Sequence, residues 1–149
     1  MGRVPSTVIE FTRATYDAVV AHAREGDPAE VCGVLVGHRG TDGDPSVVTR
    51  TYETENVAER PKTRYRIDPE AQLEAIEAAE GNGLDVVGFY HSHPAGPPSP
   101  SDTDIECATW PGYSYVICAL DGPPFVGSWR WNGEDRRFEQ ETLGVRDEE

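Results

Sequence analysis

The order of elements in this 149-residue chain predicts an α+β fold with a mixed β-sheet flanked by helices. Three observations carry that expectation. Residues 31–37 (VCGVLVG) and 85–91 (DVVGFYH) are too continuously apolar for half-solvated strands and read as buried ones. The segments of helical period do not alternate strictly with strands, as a doubly wound sheet requires. The C-terminal third holds three strand-like runs with turn residues between them.

Each element has a local reason. Residues 7–11 read as a short strand. Thr12 caps a helix whose Tyr16, Val19, Val20 and Ala23 share one face, and Gly26-Asp27-Pro28 ends it. After the 31–37 strand, a polar turn over 38–45 leads to an alternating strand at 46–53, its hairpin partner. Residues 56–62 are a loop and 64–67 a short strand. Asp68 caps and Pro69 opens a second helix, with Leu73, Ile76 and Ala79 on its buried face and Gly81-Asn82-Gly83 at its end. Beyond the 85–91 strand, a third helix starts near Pro100, with Ser99 as N-cap and Asp102 as the acid of a capping box. Residues 113–120 and 125–132 form a hairpin, and 136–143 adds a last strand. The chain reads as one domain over 1–143 with a frayed acidic tail at 144–149.

Composition excludes several classes. The 27 acidic and 13 basic residues give a formal net charge of −14. That field repels a phosphate backbone, so nucleic acid is not an expected partner. No apolar run approaches the roughly 20 residues that span a bilayer, and the first residues lack the apolar core of a secretory signal. The expectation is a cytoplasmic protein with no membrane partner. Cys32, Cys107 and Cys118 are too few for a disulfide framework and read as packed thiols, with a Cys107–Cys118 pair left open. Lys62 is the only lysine. An acidic surface adapted to molar salt, where screening shortens to about 3 Å, accounts for this balance. An arginine-rich acidic mesophile is the alternative.

The chemistry concentrates in two segments. His91 and His93 stand at i and i+2 at the end of a strand, so both imidazoles point the same way and suit a shared metal. With the third helix starting at Pro100, Ser101 and Asp104 share its first face. Since Ser99 and Asp102 are read as the caps, Ser101 and Asp104 keep no structural duty. Two imidazoles and one carboxylate leave a fourth position open, the pattern of a catalytic zinc site rather than a structural one. Glu30, beside the 31–37 strand, is the candidate base for a water there. Taken singly, each residue has an ordinary structural reading; the combination carries the inference.

Glu30 in DPAEVCGVLVG, His91-Ser92-His93-Pro94 and Ser101-Asp102-Thr103-Asp104 together resemble the JAMM (MPN+) metalloprotease family, whose pattern is Glu, H-[ST]-H-P, a short loop and S-x-x-D. The resemblance runs from the first helix through FVGSWRW. It implies the JAMM/MPN fold, a mixed sheet flanked by helices and related to the cytidine deaminases. It implies one Zn²⁺ per chain held by His91, His93 and Asp104, with Glu30 as general acid/base, Ser101 stabilising the tetrahedral oxyanion and Ser92 supporting the ligands. Composition and size are similar to the stand-alone halophilic desampylase type, which removes ubiquitin-like small archaeal modifiers from target lysines. The implied partner is thus a ubiquitin-like modifier protein and its conjugates, cleaved after a C-terminal Gly-Gly. Two readings with the same pattern stay open: C-terminal processing of a sulfur-carrier protein, and a non-catalytic scaffold. A zinc deaminase needs a C-x-x-C pair that is absent. The polar segment 56–67, with Arg60, Arg64 and Arg66, is the candidate strand edge for an extended substrate tail.

Overall fold

The computed structural model describes residues 7–41 and 43–147; expectations for residues 1–6, Asp42 and residues 148–149 lie outside the described residues. The elements follow as β1 (Val8–Thr12), α1 (Arg13–Gly26), β2 (Cys32–His38), β3 (Ser46–Thr54), α2 (Pro69–Gly81), β4 (Asp85–His93), α3 (Asp102–Cys107), β5 (Ser114–Ala119), β6 (Phe125–Asn132) and β7 (Arg137–Arg146). The strands bond in the order β1-β3-β2-β4-β5-β6-β7, and β7 returns parallel to β1, so the sheet closes as a barrel. Its mixed character is as expected. β2 runs antiparallel to β3 and β4, whereas β4 and β5 are parallel. A parallel pair needs a crossover, and this one carries α3 over the end of β4.

Closure corrects two expectations. Gly144, Val145 and Arg146, expected as the start of a frayed tail, belong to β7 and stand opposite Glu10, Phe11 and Thr12. Arg146 Nε donates to Glu10 Oε1 at 2.8 Å across that seam. Residues 64–67, expected as a strand and as an open sheet edge, form no strand. Asn56 and Ile67 make an isolated bridge, and the N–H groups of Thr63 and Arg64 turn back to the carbonyl of Arg60.

Two apolar clusters explain the strand sequences. One gathers Ile9, Phe11, Leu35, Val48, Val116 and Val126 around Val19 and Ala23 of α1. The other joins Val34, Val36, Phe89, Tyr115 and Trp131 to Ala75 and Ala79 of α2. β2 thus sends Leu35 one way and Val34 and Val36 the other. Both its faces are buried, which is why its sequence does not alternate. Gly88 is required where β4 meets β5, because a Cβ there would strike the backbone of Ser114.

Capping chemistry sets the helix starts. Thr12 Oγ1 accepts from the N–H of Thr15 at 3.2 Å, and Pro69 opens α2 behind Asp68. The buried face of α2 differs from the expected one. Ala75 and Ala79 face the core, Ile76 is half-buried, and Leu73 is 55% exposed. Small side chains let the helix lie close against β2, β3 and β4, and that approach turns Leu73 outward. Cys118 is buried in the α1 cluster while Cys107 is exposed on α3, so the two thiols stay free. No helix among the described residues is long and apolar enough to cross a membrane.

Two truncations separate the core from the outward face. Leu35→Ala should cost about 2–5 kcal/mol of unfolding free energy and Leu73→Ala no more than about 0.5 kcal/mol, read from urea midpoints at constant slope. Equal losses would mean that Leu73 belongs to the core after all.

Candidate metal centre

β4 keeps its pairing to its last residue. His91 lies opposite Cys32 on β2 and Ile117 on β5, and His93 opposite Ala119. Strand geometry therefore turns both imidazoles to the face that Phe89 occupies one step earlier. Their Nε2 atoms stand 3.1 Å apart, and both rings are buried.

The carboxylate comes from α3. Asp104 Oδ2 lies 3.2 Å from His91 Nε2 and 3.1 Å from His93 Nε2. The same oxygen accepts from the N–H of Ser101 at 2.9 Å, while Ser101 Oγ accepts from the N–H of Asp104 at 3.1 Å. This reciprocal pair is a capping box, so Ser101 is the N-cap of α3. The expectation that Ser99 and Asp102 cap the helix is corrected: α3 starts after Pro100, two residues later. Ser101 and Asp104 do have a structural duty, and it is the one that aims the carboxylate at the imidazoles.

Glu30 arrives from the other side. It precedes β2 and is 7% exposed, and its Oε1 has no hydrogen-bond partner among the described residues. Single ligand atoms of Glu30, His91 and His93 lie within 4.8 Å of one another. Ser92 extends the β2–β4 pairing to this segment. Its N–H donates to the Val31 carbonyl at 3.1 Å, and its Oγ accepts from the Val31 N–H at 2.9 Å.

The protonation states follow from burial and these contacts. Burial raises the Asp104 carboxyl, but the bonds from His91, His93 and the Ser101 N–H outweigh it and hold the group well below the usual carboxylate range. Burial pushes His91 down against the pull of Asp104. It also lowers His93, whose bonds to Asp104 and the Pro97 carbonyl prevail and leave it raised. Burial lifts the Glu30 carboxyl to about 7, with His93 opposing and Asp104 adding to the shift.

These residues fit a metal ion. Two imidazole Nε2 atoms and a carboxylate oxygen converge on one point, which is repulsive unless protons or a cation lie between them. Ligands about 2.0–2.1 Å from a tetrahedral ion stand roughly 3.3–3.4 Å apart, close to the spacing here. Among the described residues two carboxylates are within reach: Asp104 touches both imidazoles, and Glu30 has an oxygen without a hydrogen-bond partner.

Arg60, Arg64 and Arg66 are exposed on the 56–67 loop. Between the last two sits Tyr65, which sequence reasoning passed over. Its ring stacks on His91, with centroids 4.1 Å apart and planes 17° from parallel. Tyr65 also walls an apolar groove of about 590 Å³ with Leu73, Ile76, Phe89, Trp110 and Tyr115. The one available signal was an aromatic between two arginines in a strand-like stretch, whose alternation turns it away from them. Asn56, which ties this loop, gave no signal beyond its type.

A family model described as prokaryotic homologues of the JAB domain matches residues 12–132. The chain is 47% identical over 125 residues to the desampylase of Haloferax volcanii, covering 81% of this chain and 86% of that protein. It is 40% identical over 107 residues to the CysO-cysteine peptidase of Mycobacterium tuberculosis, covering 72% and 70%. A solution structure of a Desulfitobacterium hafniense protein superposes with a TM-score of 0.83 at 34% identity, covering 94% of each chain.

The corrected cap has a direct check. Ser101→Ala should lower stability by about 1 kcal/mol, and Ser99→Ala, exposed and outside α3, should leave it unchanged within about 0.5 kcal/mol. A larger loss for Ser99→Ala in denaturant unfolding would return the cap to the earlier serine.

Proposed function

We propose a function from the premise that this chain belongs to the family of prokaryotic homologues of the JAB domain. It is a zinc-dependent isopeptidase that hydrolyses the bond after the C-terminal Gly-Gly of a ubiquitin-like modifier joined to a target lysine. The observation that carries the reading is the convergence of His91 Nε2, His93 Nε2 and Asp104 Oδ2 within 3.2 Å, beside the unpartnered Glu30 Oε1. The 47% identity to a desampylase supports the substrate class.

In this reading His91, His93 and Asp104 hold one Zn²⁺. Bound there, zinc supplies Lewis acidity that polarises the scissile carbonyl and acidifies water. Glu30 accepts a proton from the attacking water at its free oxygen and returns it to the lysine amine that leaves. Burial raises its carboxyl in the metal-free protein, which favours a group able both to take up and to return a proton. Among the described residues Ser101 Oγ accepts only the Asp104 N–H, which leaves its hydroxyl proton to stabilise the oxyanion, a contact worth roughly 3 kcal/mol elsewhere. Ser92 holds the Glu30 segment against β4. Arg60, Arg64 and Arg66 offer positive charge to an acidic modifier surface on an otherwise acidic chain. A Gly-Gly tail suits close approach of one backbone to another, where a Cβ would collide.

The likeness to a CysO-cysteine peptidase favours a second reading, trimming of a free carrier protein at its C-terminus by the same site. A non-catalytic scaffold has no such support, since every polar position of the pattern is present. The acidic, lysine-poor composition supports adaptation to molar salt.

Fusions and isopeptide conjugates ending in Gly-Gly should be cleaved in molar salt, lose cleavage with chelator and regain it with zinc. Glu30→Gln should keep its zinc yet lose at least about 100-fold in kcat. Chelator-resistant cleavage, or equal cleavage after Ala-Ala, would overturn the assignment. Preference for the free carrier over the conjugate would select the second reading.

The melting temperature should rise from low to molar KCl, because 27 acidic residues against 13 basic ones repel each other when unscreened. A flat or falling trend would contradict the salt adaptation and leave the chemistry untouched.

A further inference from the structure

The two imidazoles are held by different means. His93 Nδ1 bonds the Pro97 carbonyl at 2.8 Å, the usual way to set ring rotation and tautomer in a metal-binding histidine. His91 Nδ1 is buried and has no hydrogen-bond partner among the described residues. No such bond sets its ring. What covers it is Tyr65, stacked 17° from parallel at 4.1 Å.

Tyr65 is itself tied in place, through Asn56. Asn56 Nδ2 donates to the Arg64 carbonyl at 3.0 Å, and Asn56 Oδ1 accepts from the Arg66 N–H at 2.9 Å, so the residues on both sides of Tyr65 are anchored. Asn56 Nδ2 also donates to the Glu30 carbonyl at 2.9 Å. The Glu30 N–H in turn donates to the Pro61 carbonyl at 2.7 Å. The 56–67 loop is thus a strap. Asn56 and Pro61 grip the Glu30 backbone, and Tyr65, near the far end, lays an aromatic ring on His91.

We propose that Tyr65 is a positioning residue of the metal centre, whose stacked ring sets the imidazole plane of His91 in place of the hydrogen bond that Nδ1 lacks, and that Asn56 holds Tyr65 and Glu30 in mutual register. The inference rests on the zinc reading above. The ring matters rather than the hydroxyl, since the contact is face to face. Without it the His91 imidazole rotates about its bond to Cβ, and Nε2 leaves the point that His93 Nε2 and Asp104 Oδ2 share. The loss should resemble that of removing a hydrogen-bonded outer partner, about 10- to 100-fold in metal affinity.

The test measures zinc affinity of the full chain by competition with a chromophoric chelator, together with the visible spectrum of the cobalt-substituted protein and the unfolding midpoint without metal. Tyr65→Leu should bind zinc about 10- to 100-fold more weakly and shift the cobalt bands, with the metal-free midpoint retained. Tyr65→Phe should restore wild-type affinity and spectrum. Should Tyr65→Leu fail to fold, Asn56→Ala carries the same expectation, because it frees the strap without altering either ring. Zinc affinity within about twofold of wild type in the folded leucine variant, or in Asn56→Ala where that variant carries the test, overturns the proposal. So does an equal loss in the phenylalanine variant. Wild-type zinc affinity in His91→Ala is a different failure, which removes the metal reading itself.

Discussion

A single carboxylate oxygen organises the functional end of this molecule. Asp104 Oδ2 meets two buried imidazoles and the backbone N–H that starts α3, all within 3.2 Å. A buried carboxylate without such partners would be strongly disfavoured, so α3 and the end of β4 are mutually dependent. The helix needs the acid as a cap, and the acid needs the imidazoles. A helix of only six residues has little intrinsic stability; here its first turn is locked by the same carboxylate that meets the two imidazoles.

The parallel pairing of β4 and β5 makes that meeting possible. Antiparallel neighbours could have been joined by a tight turn, whereas parallel ones require a return path. The return carries Pro94 to Ser101 away from the strand end and brings α3 back over it. On the other flank, β2 runs antiparallel to β4 and delivers Glu30 to the same end of the sheet. Ser92 locks the two strands together by bonding both polar backbone atoms of Val31. Closure of the barrel then leaves the seam between β1 and β7 paired.

The polar centre borders directly on apolar packing. Phe89, one step before His91 on the same face, belongs to the α2 cluster, and Tyr65 bridges from that cluster's groove to the His91 ring. The apolar surroundings explain the perturbed groups. Burial is the leading influence on Glu30, His91, His93 and Asp104 alike, and the sign of each final shift depends on how many charged or hydrogen-bonding neighbours oppose it. Glu30 and His91 each have a single neighbour opposing burial, His93 and Asp104 respectively, so burial prevails at both and lifts the Glu30 carboxyl toward neutral pH.

The sequence by itself determined the mixed α+β class, the three helices and the polar pattern from Glu30 to Asp104. These follow from local rules: β-period and helical period, proline and threonine at helix starts, and the i, i+2 geometry that turns His91 and His93 the same way. Where two local solutions competed, sequence reasoning chose wrongly. Ser99 and Ser101 are equally good caps by type, and Leu73 and Ala75 lie on adjacent stripes of one helix. Only the tertiary structure decided between them, because the imidazoles select Asp104 as the capping acid and the close approach of the sheet selects alanine. It also decided the closure that draws Gly144 to Arg146 into β7, and the strap that sets Tyr65 on His91. Those contacts join residues that are distant in the chain, and no periodicity or spacing records a neighbour that far away.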